Sequence, residues 1–393
     1  REGLTVSVRA GGHGVAGRAC RDGSLVVDLR PMRGVAVDPG ARRARVEGGA
    51  TWADVDRAAA AHGLATTGGL ISSTGVSGLT LGGGIGWLVR RFGLACDSLV
   101  AAEVVTADGA SRRVDEREGG ELLWALRGAG IGLGVVTALE FALHPISTVV
   151  AGVVMHPASR AHAVARFFRE LTARAPDALS AILVFAVAPP APFVPVDLQG
   201  QPMVAIGACW SGHLAGGEDA LAPLQAFGPP AVDTIRALPY VEAQSMLDPT
   251  APAHQLNYWK SAFLPALTDD LLEALVRRGT SLPSPLAQIH VHHLGGAVDR
   301  VPADATAYAS RGMPYLANVP TMWSDRGRTA EMIEWTRSCH AEITGAGGGA
   351  GYLNFQDRDE RPGDALGAGR SVRLRALKEA LDPGRLFGPE PIG

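Results

Sequence analysis

Cysteine is scarce in this sequence, with four residues among 393, at positions 20, 96, 209 and 339. They form no CxxC pair and lack the density of a disulfide-stapled scaffold, which points to buried free thiols in a reducing compartment. Acceptors for N-glycosylation are missing too, because Asn257, Asn318 and Asn354 are each followed by the wrong residues. No apolar run approaches the ~20 residues of a membrane span. No secretory leader is visible, so the expected compartment is the cytoplasm, away from membranes. The opening REGLTVSVRAGG reads as a helix end running into a strand, so residues upstream of Arg1 are expected to be missing. A formal net charge of −3 leaves no basic footprint for nucleic acid as a main partner. Metal chemistry lacks its ligands: the H-x-H pair, His290 and His292, has no nearby carboxylate or cysteine to complete a site.

Glycine, by contrast, is abundant, at 50 residues, within a composition of 47% hydrophobic and 19% charged residues that suits a packed globular protein. At this length two domains are expected, of roughly 100–200 residues each. TVSVRA (5–10) alternates and LVVDLRPM (25–32) is a second extended run. VAVDPGARRARVEGG reads as a hairpin about its Asp-Pro-Gly turn, and LVAAEVVTADGASRRV as another turned by Asp108-Gly109. Thr51 and Asp54 have capping-box spacing and open a helix that Gly63 closes. A short helix at 121–126 and a strand at 135–146 follow. From about residue 148 the texture changes. Helices at 158–174, 217–227, 268–278 and 329–343 intervene between the strands SAILVFAVA, PMVAIGACW, NYWKSAFL and LAQIHVHHLGG. That order suits an antiparallel sheet backed on one face by helices, hence an α+β architecture. The proline-rich 188–196 reads as a loop, and no internal repeat emerges.

Three glycine-rich stretches ask for a reason, because glycine loses more entropy on folding than any other residue. RAGGHGVAG (9–17) sets His13 among four glycines; TTGGLISSTGVSGLTLGGGIGW (66–87) and GAGIGLG (128–134) follow. Backbone stripped of Cβ atoms can bring consecutive N–H groups to a phosphate or a flat ring. Taken one at a time, each stretch also suits an unrelated tight turn. A Rossmann site needs a strand before its glycines and an acid ~20 residues beyond them. GGGIG follows a glycine-rich loop instead, so no NAD site is expected.

In order along the chain, RAGGH, GGGIGWLVRRFGLACD, AEVVTADG, RGAGIGLGVVTALEF, GYLNFQD (351–357) and LDPGRLFG (381–388) resemble a known family. It is the berberine-bridge-enzyme-like branch of the vanillyl-alcohol-oxidase / p-cresol methylhydroxylase superfamily. The resemblance implies a two-domain α+β fold: an FAD-binding domain over 1–146, an antiparallel-sheet substrate domain over 147–349, and a C-terminal segment, 350–393, returning to the FAD domain. It also implies FAD bonded covalently, at its 8α-methyl carbon, to His13. The cofactor contacts it implies include Arg9, Ala10, Gly11, Gly12 and Gly14 of the first stretch. In the second they are Gly68, Ser72, Ser73, Thr74, Gly75, Ser77, Gly78, Gly82, Gly83 and Gly86; Gly134, Val136 and Asn354 complete the set. Relatives with a second tether carry a cysteine eleven residues before the GGG. Here that position is Ile71 and Cys96 lies beyond the glycines, so attachment through His13 alone is expected. Gly132 departs from the pattern, standing where relatives often have asparagine.

Alternation in QIHVHHLGG puts Gln288, His290 and His292 on one sheet face and Ile289, Val291 and His293 on the other. In relatives the corresponding strand presents polar residues to the substrate, so these three, with Tyr352 of the YLNF run, are the expected catalytic residues. Imidazole titrates near neutrality and can take or give a proton. A phenol, with its pKa near ~10, needs a neighbouring cation or hydrogen bonds to act as a base. A solvated sheet face and a core-packed tyrosine are the plainer alternatives. Tyr258 and Lys260 share another strand face, where the lysine would lower the pKa of a nearby phenol. The function implied is an oxidase that moves hydride from an alcohol, a sugar or a secondary metabolite, to flavin, with dioxygen as acceptor giving hydrogen peroxide. An amine oxidase, an oxidative cyclase, a dehydrogenase using another acceptor and a cofactor-free binding protein stay open. Neither the substrate's identity nor the oligomeric state is legible.

Overall fold

The Asp-Pro-Gly and Asp108-Gly109 turns both fold as hairpins, and they build the first sheet. The computed structural model describes residues 3–388, so the expected helix end at Arg1 and Glu2 lies outside them. Five antiparallel strands stand in the order Val35–Asp38, Arg43–Glu47, Val135–Ala142, Leu99–Val105, Ser111–Asp115. Gly109 takes φ +81°, and the Asp108 carboxylate accepts from Ala110 N at 3.1 Å, so the turn chemistry fixes this register. The helix Trp52–Ala60 starts at a working capping box, in which the Asp54 carboxylate accepts from Thr51 N at 2.9 Å. It ends before Gly63, which sits at φ +66° beyond one further turn. Trp52, Val55, Leu99, Leu123, Leu139 and Phe141 pack between this helix, the helix Gly120–Leu126 and the sheet. Each such fully buried side chain contributes ~1.5–3 kcal/mol.

The second sheet has eight strands, paired antiparallel. Along its main path lie Val232–Asp233, Thr148–Pro157, Pro202–Trp210, Leu179–Val187, Ile289–His293, Tyr315–Trp323 and Leu256–Leu264, with Arg236–Pro239 also on Thr148–Pro157. Helices Ala161–Ala173, Ala215–Ala226, Asp269–Gly279 and Thr329–Gly345 cover one face, burying Phe168, Leu183, Phe185, Leu275, Ile289 and Val291. Ile289 and Val291 therefore look into this core, and the alternate positions His290 and His292 look the other way.

Of the elements that the sequence reading did not give, three bear on the core and the glycine stretches. Tyr315–Trp323 is a central strand buried along its whole length; a strand covered on both faces does not alternate, and Pro320 masked it further. The second glycine stretch is not loop throughout, because Val76–Leu81 forms a helix before GGG. Ala368–Leu381 is a further helix, placing Leu374 in the first core. From it, Lys378 donates to Gly132 O at 2.6 Å and pairs with Asp382, also at 2.6 Å. All four cysteines are free; three are buried, but Cys20 is exposed, a correction to the expectation of buried thiols.

Candidate functional site

The first two glycine stretches meet backbone to backbone. A Cβ on Gly11 would fall on Gly75 N, and one on Gly75 would fall on Gly11 N, so both positions need glycine for the loops to touch. Arg9 ends the strand Thr5–Arg9 and its guanidinium lies against Gly12, which takes φ +74°. Ala10 backs onto Gly75, while Gly14 and Gly78 face open space. His13 keeps an exposed edge, and its Nε2 is 3.1 Å from Ser73 Oγ. Packing around the ring lowers its pKa, against the charge of Asp248 and a hydrogen bond with Ser73, which raise it. Asp248 accepts from Ser72 N at 2.8 Å and from Ser72 Oγ at 2.6 Å. Thr74 O accepts from Trp52 N at 3.0 Å.

At the far end of the helix Val76–Leu81, GGG meets the YLNF run. A Cβ on Gly82 would strike the Asn354 amide, and one on Gly83, at φ +127°, would lie 3.1 Å from Tyr352 Oη and from the Tyr308 ring. Tyr352 Oη accepts from Gly84 N at 2.7 Å and from Asn354 Nδ2 at 2.8 Å. Tyr352 N donates to Ser261 Oγ at 3.0 Å, and Phe263 N to Ala350 O at 2.9 Å, so this run lies along the edge strand Leu256–Leu264. Burial drives the Tyr352 phenol upward, and its two donors only partly offset this. The helix's six residues extend ~9 Å along its axis, with Gly75 against Gly11 at one end and Gly82 against Asn354 at the other.

The histidine strand closes the cluster. Phe355 bridges it to Tyr352, with ring centroids 5.9 Å from His292 and 5.0 Å from Tyr352. His290 Nε2 lies 2.6 Å from Gln288 Oε1, and Gln288 Nε2 donates to Thr250 O at 3.3 Å. The amide oxygen can only accept, so His290 Nε2 carries the hydrogen and Nδ1 keeps its lone pair. Loss of solvent holds His290 down to about 4 and His292 to about 3, so both rings are neutral at pH 7. His292 Nε2 is buried without a partner and borders a narrow cavity with Leu70, Gly86 and Trp87.

Some expected contacts are used elsewhere. Ser77 Oγ donates to Gly48 O at 2.7 Å, Val136 is buried in its strand beside Gly48, and Gly134 packs on Val104, so these three serve the first sheet rather than the two ends just described. Gly68 backs onto Trp52 and Gln244, and Gly86 onto Gly68 O. Lys260 is committed to Asp359 at 2.7 Å and Glu360 at 3.1 Å, and the phenol beside it, Tyr258, is raised by burial and by its bond to Asp359 rather than lowered. The sequence reading also missed residues that only tertiary contact reveals. These are Asp248, the buried Tyr308 phenol, Asn318 opposite His290, and Arg90, which donates to His293 Nε2 at 2.9 Å and to Leu294 O. No signal within their own segments marks them. Among the described residues no cluster of His, Cys, Asp and Glu could hold a metal, and no helix is long and apolar enough to cross a membrane.

The chemistry of these donors fits FAD. Thr66, Thr67, Thr80, Trp52 and Trp87 offer buried hydroxyl and indole donors without protein partners, beside a glycine-lined backbone. The comparisons agree. A family described as an FAD binding domain matches residues 1–115. An FAD-linked oxidoreductase of Dictyostelium discoideum is 29% identical over 98% of this chain and 82% of its own length. (R)-6-Hydroxynicotine oxidase of Paenarthrobacter nicotinovorans is 36% identical over 62% of this chain and 52% of that protein. The crystal structure of 6-hydroxy-D-nicotine oxidase from Arthrobacter nicotinovorans matches with TM-score 0.85 and 26% identity, over 98% of this chain and 85% of that one. Berberine-bridge-enzyme-like 1 of Physcomitrella patens shares the fold, with TM-score 0.87 and 20% identity over 100% and 86% of the two chains. The chain therefore carries an FAD binding domain and is similar along nearly its whole length to FAD-linked oxidoreductases, with the fold of 6-hydroxy-D-nicotine oxidase and of a berberine-bridge-enzyme-like protein.

Proposed function

We propose that the protein is an oxidase acting on an alcohol, with FAD attached through His13 alone and dioxygen as electron acceptor, giving hydrogen peroxide. In this reading residues 1–146 and 350–393 form the FAD unit and 147–349 the substrate unit. FAD, when bound, supplies the two-electron acceptor for the substrate and returns the electrons to dioxygen. The protein supplies orientation and proton handling. Ser73 orients His13. Tyr352, protonated because burial raises its pKa, keeps its O–H as a donor for the substrate oxygen while Gly84 N and Asn354 Nδ2 fix the phenol. The neutral imidazole of His292, whose Nε2 has no partner, takes the one hydroxyl proton, and Gln288 fixes the tautomer of the neighbouring His290. Gln288, His290, His292 and Tyr352 are all uncharged, which suits a neutral substrate. The observation that carries the reading is the unpartnered His292 nitrogen meeting Tyr352 across Phe355, beside the glycine run.

A second reading, oxidation at a C–N bond, draws on the 36% identity to a hydroxynicotine oxidase, and an unprotonated amine suits the uncharged cluster equally well. A panel of alcohols and amines assayed for peroxide and for carbonyl product separates the two. Peroxide with an aldehyde or ketone from alcohols supports the first, and turnover of amines alone supports the second. Dye reduction without peroxide overturns the oxidase reading.

A further inference from the structure

The turn Asp248–Thr250 belongs to the segment between the helix Tyr240–Ser245 and the strand Leu256–Leu264, yet it reaches across to the glycine stretch. The Asp248 carboxylate takes both the backbone N–H and the hydroxyl of Ser72, at 2.8 and 2.6 Å. The next residue, Ser73, meets His13 Nε2 at 3.1 Å. The same turn presents Thr250 O to Gln288 Nε2 at 3.3 Å, so one short element supports both the His13 end and the histidine strand. Asp248 also acts on His13 through its charge, raising the ring's pKa against the burial that lowers it.

The geometry points to Asp248 as the positioning residue for flavin attachment: through Ser72 and Ser73 it fixes the His13 ring so that the other imidazole nitrogen meets the flavin methyl group. This rests on the covalent reading above. In that attachment an imidazole N–C bond forms to the 8α carbon. One methyl hydrogen and the imidazole N–H hydrogen become the two hydrogens of the reduced ring, and dioxygen removes them as hydrogen peroxide. Asp248 takes no part in the bond change. It holds the ring where an ångström of displacement costs on the order of 100-fold in rate.

The test follows acid-resistant flavin over time after FAD is added to protein purified from riboflavin-limited cells. Asp248→Asn is expected to slow attachment roughly 10-fold or more, within that positional limit, while non-covalent FAD binding persists. Ser73→Ala should slow it similarly, the double variant should be no slower than the worse single, and Asp248→Glu should recover part of the rate. A merely structural role would make the two losses multiply and give no recovery with glutamate. Should Asp248→Asn fail to fold, Ser73→Ala, which leaves the Ser72 bonds in place, gives the answer. Wild-type attachment rates in Asp248→Asn or in Ser73→Ala overturn the proposal and leave the covalent reading intact. Wild-type protein that releases all its flavin in acid overturns both.

Discussion

Two alanine substitutions a few residues apart should act with opposite sign. Gly78 lies within the helix Val76–Leu81, and a methyl added there would meet nothing within 4 Å, so Gly78→Ala gains helix propensity of up to ~1 kcal/mol. Gly82, just past that helix, sits against the Asn354 amide. Its new methyl would displace the side chain that donates to Tyr352 Oη at 2.8 Å and to Leu79 O at 2.9 Å. Overpacking of this kind costs ~1–3 kcal/mol, and each lost hydrogen bond ~0.5–1.5 kcal/mol. One bond of ~1.4 kcal/mol at the reacting end corresponds to about a tenfold slower reduction of the flavin. Thermal unfolding of the two variants and stopped-flow reduction of the bound flavin are the assays. Gly78→Ala should melt no lower than wild type, and Gly82→Ala should melt lower and reduce about tenfold more slowly. A Gly82→Ala protein with wild-type melting and reduction would refute the packing described for Asn354 and Tyr352.

Tyr352→Phe removes the proposed donor while keeping the ring among Phe263, Tyr308 and Phe355, so it should slow flavin reduction and leave the visible spectrum unchanged; unchanged reduction kinetics would remove Tyr352 from the mechanism. Acid should destabilise the fold through the histidine strand. His290 is held down to about 4, and His292 and His293 each to about 3, below the unfolded value of 6.5, so the unfolded chain binds protons first as pH falls. Stability from this source is full above pH ~6.5 and declines toward pH 4, by up to about 4 kcal/mol per pH unit for three rings. A melting-temperature profile should show that decline, shallower in His292→Asn, and a flat profile would contradict it. Arg90→Met should free the His293 ring and the Leu294 carbonyl and lower the melting temperature, whereas an unchanged melt would show that these bonds contribute nothing.

Local chemistry was the readable part. The Asp-Gly hairpin, the Thr51–Asp54 cap and the alternation around His290 each report on a few neighbouring residues, and each formed. The glycine stretches were legible as places needing bare backbone, and Gly11 against Gly75 shows why. The strand Tyr315–Trp323 was not legible, because burial on both faces erases the period that marks a half-exposed strand. Asp248 was invisible for another reason. Its meaning lies in Ser72, 176 residues away, and no feature of Asp-Pro-Thr announces that partner.

The most direct measurement of the central claim is the mass and colour of the acid-denatured chain. The account predicts that wild-type protein keeps its yellow flavin and gains the mass of one FAD less two hydrogens, and that His13→Ala loses both. A wild-type chain that comes down colourless at its sequence mass, or a His13→Ala chain that still carries the flavin, would contradict it.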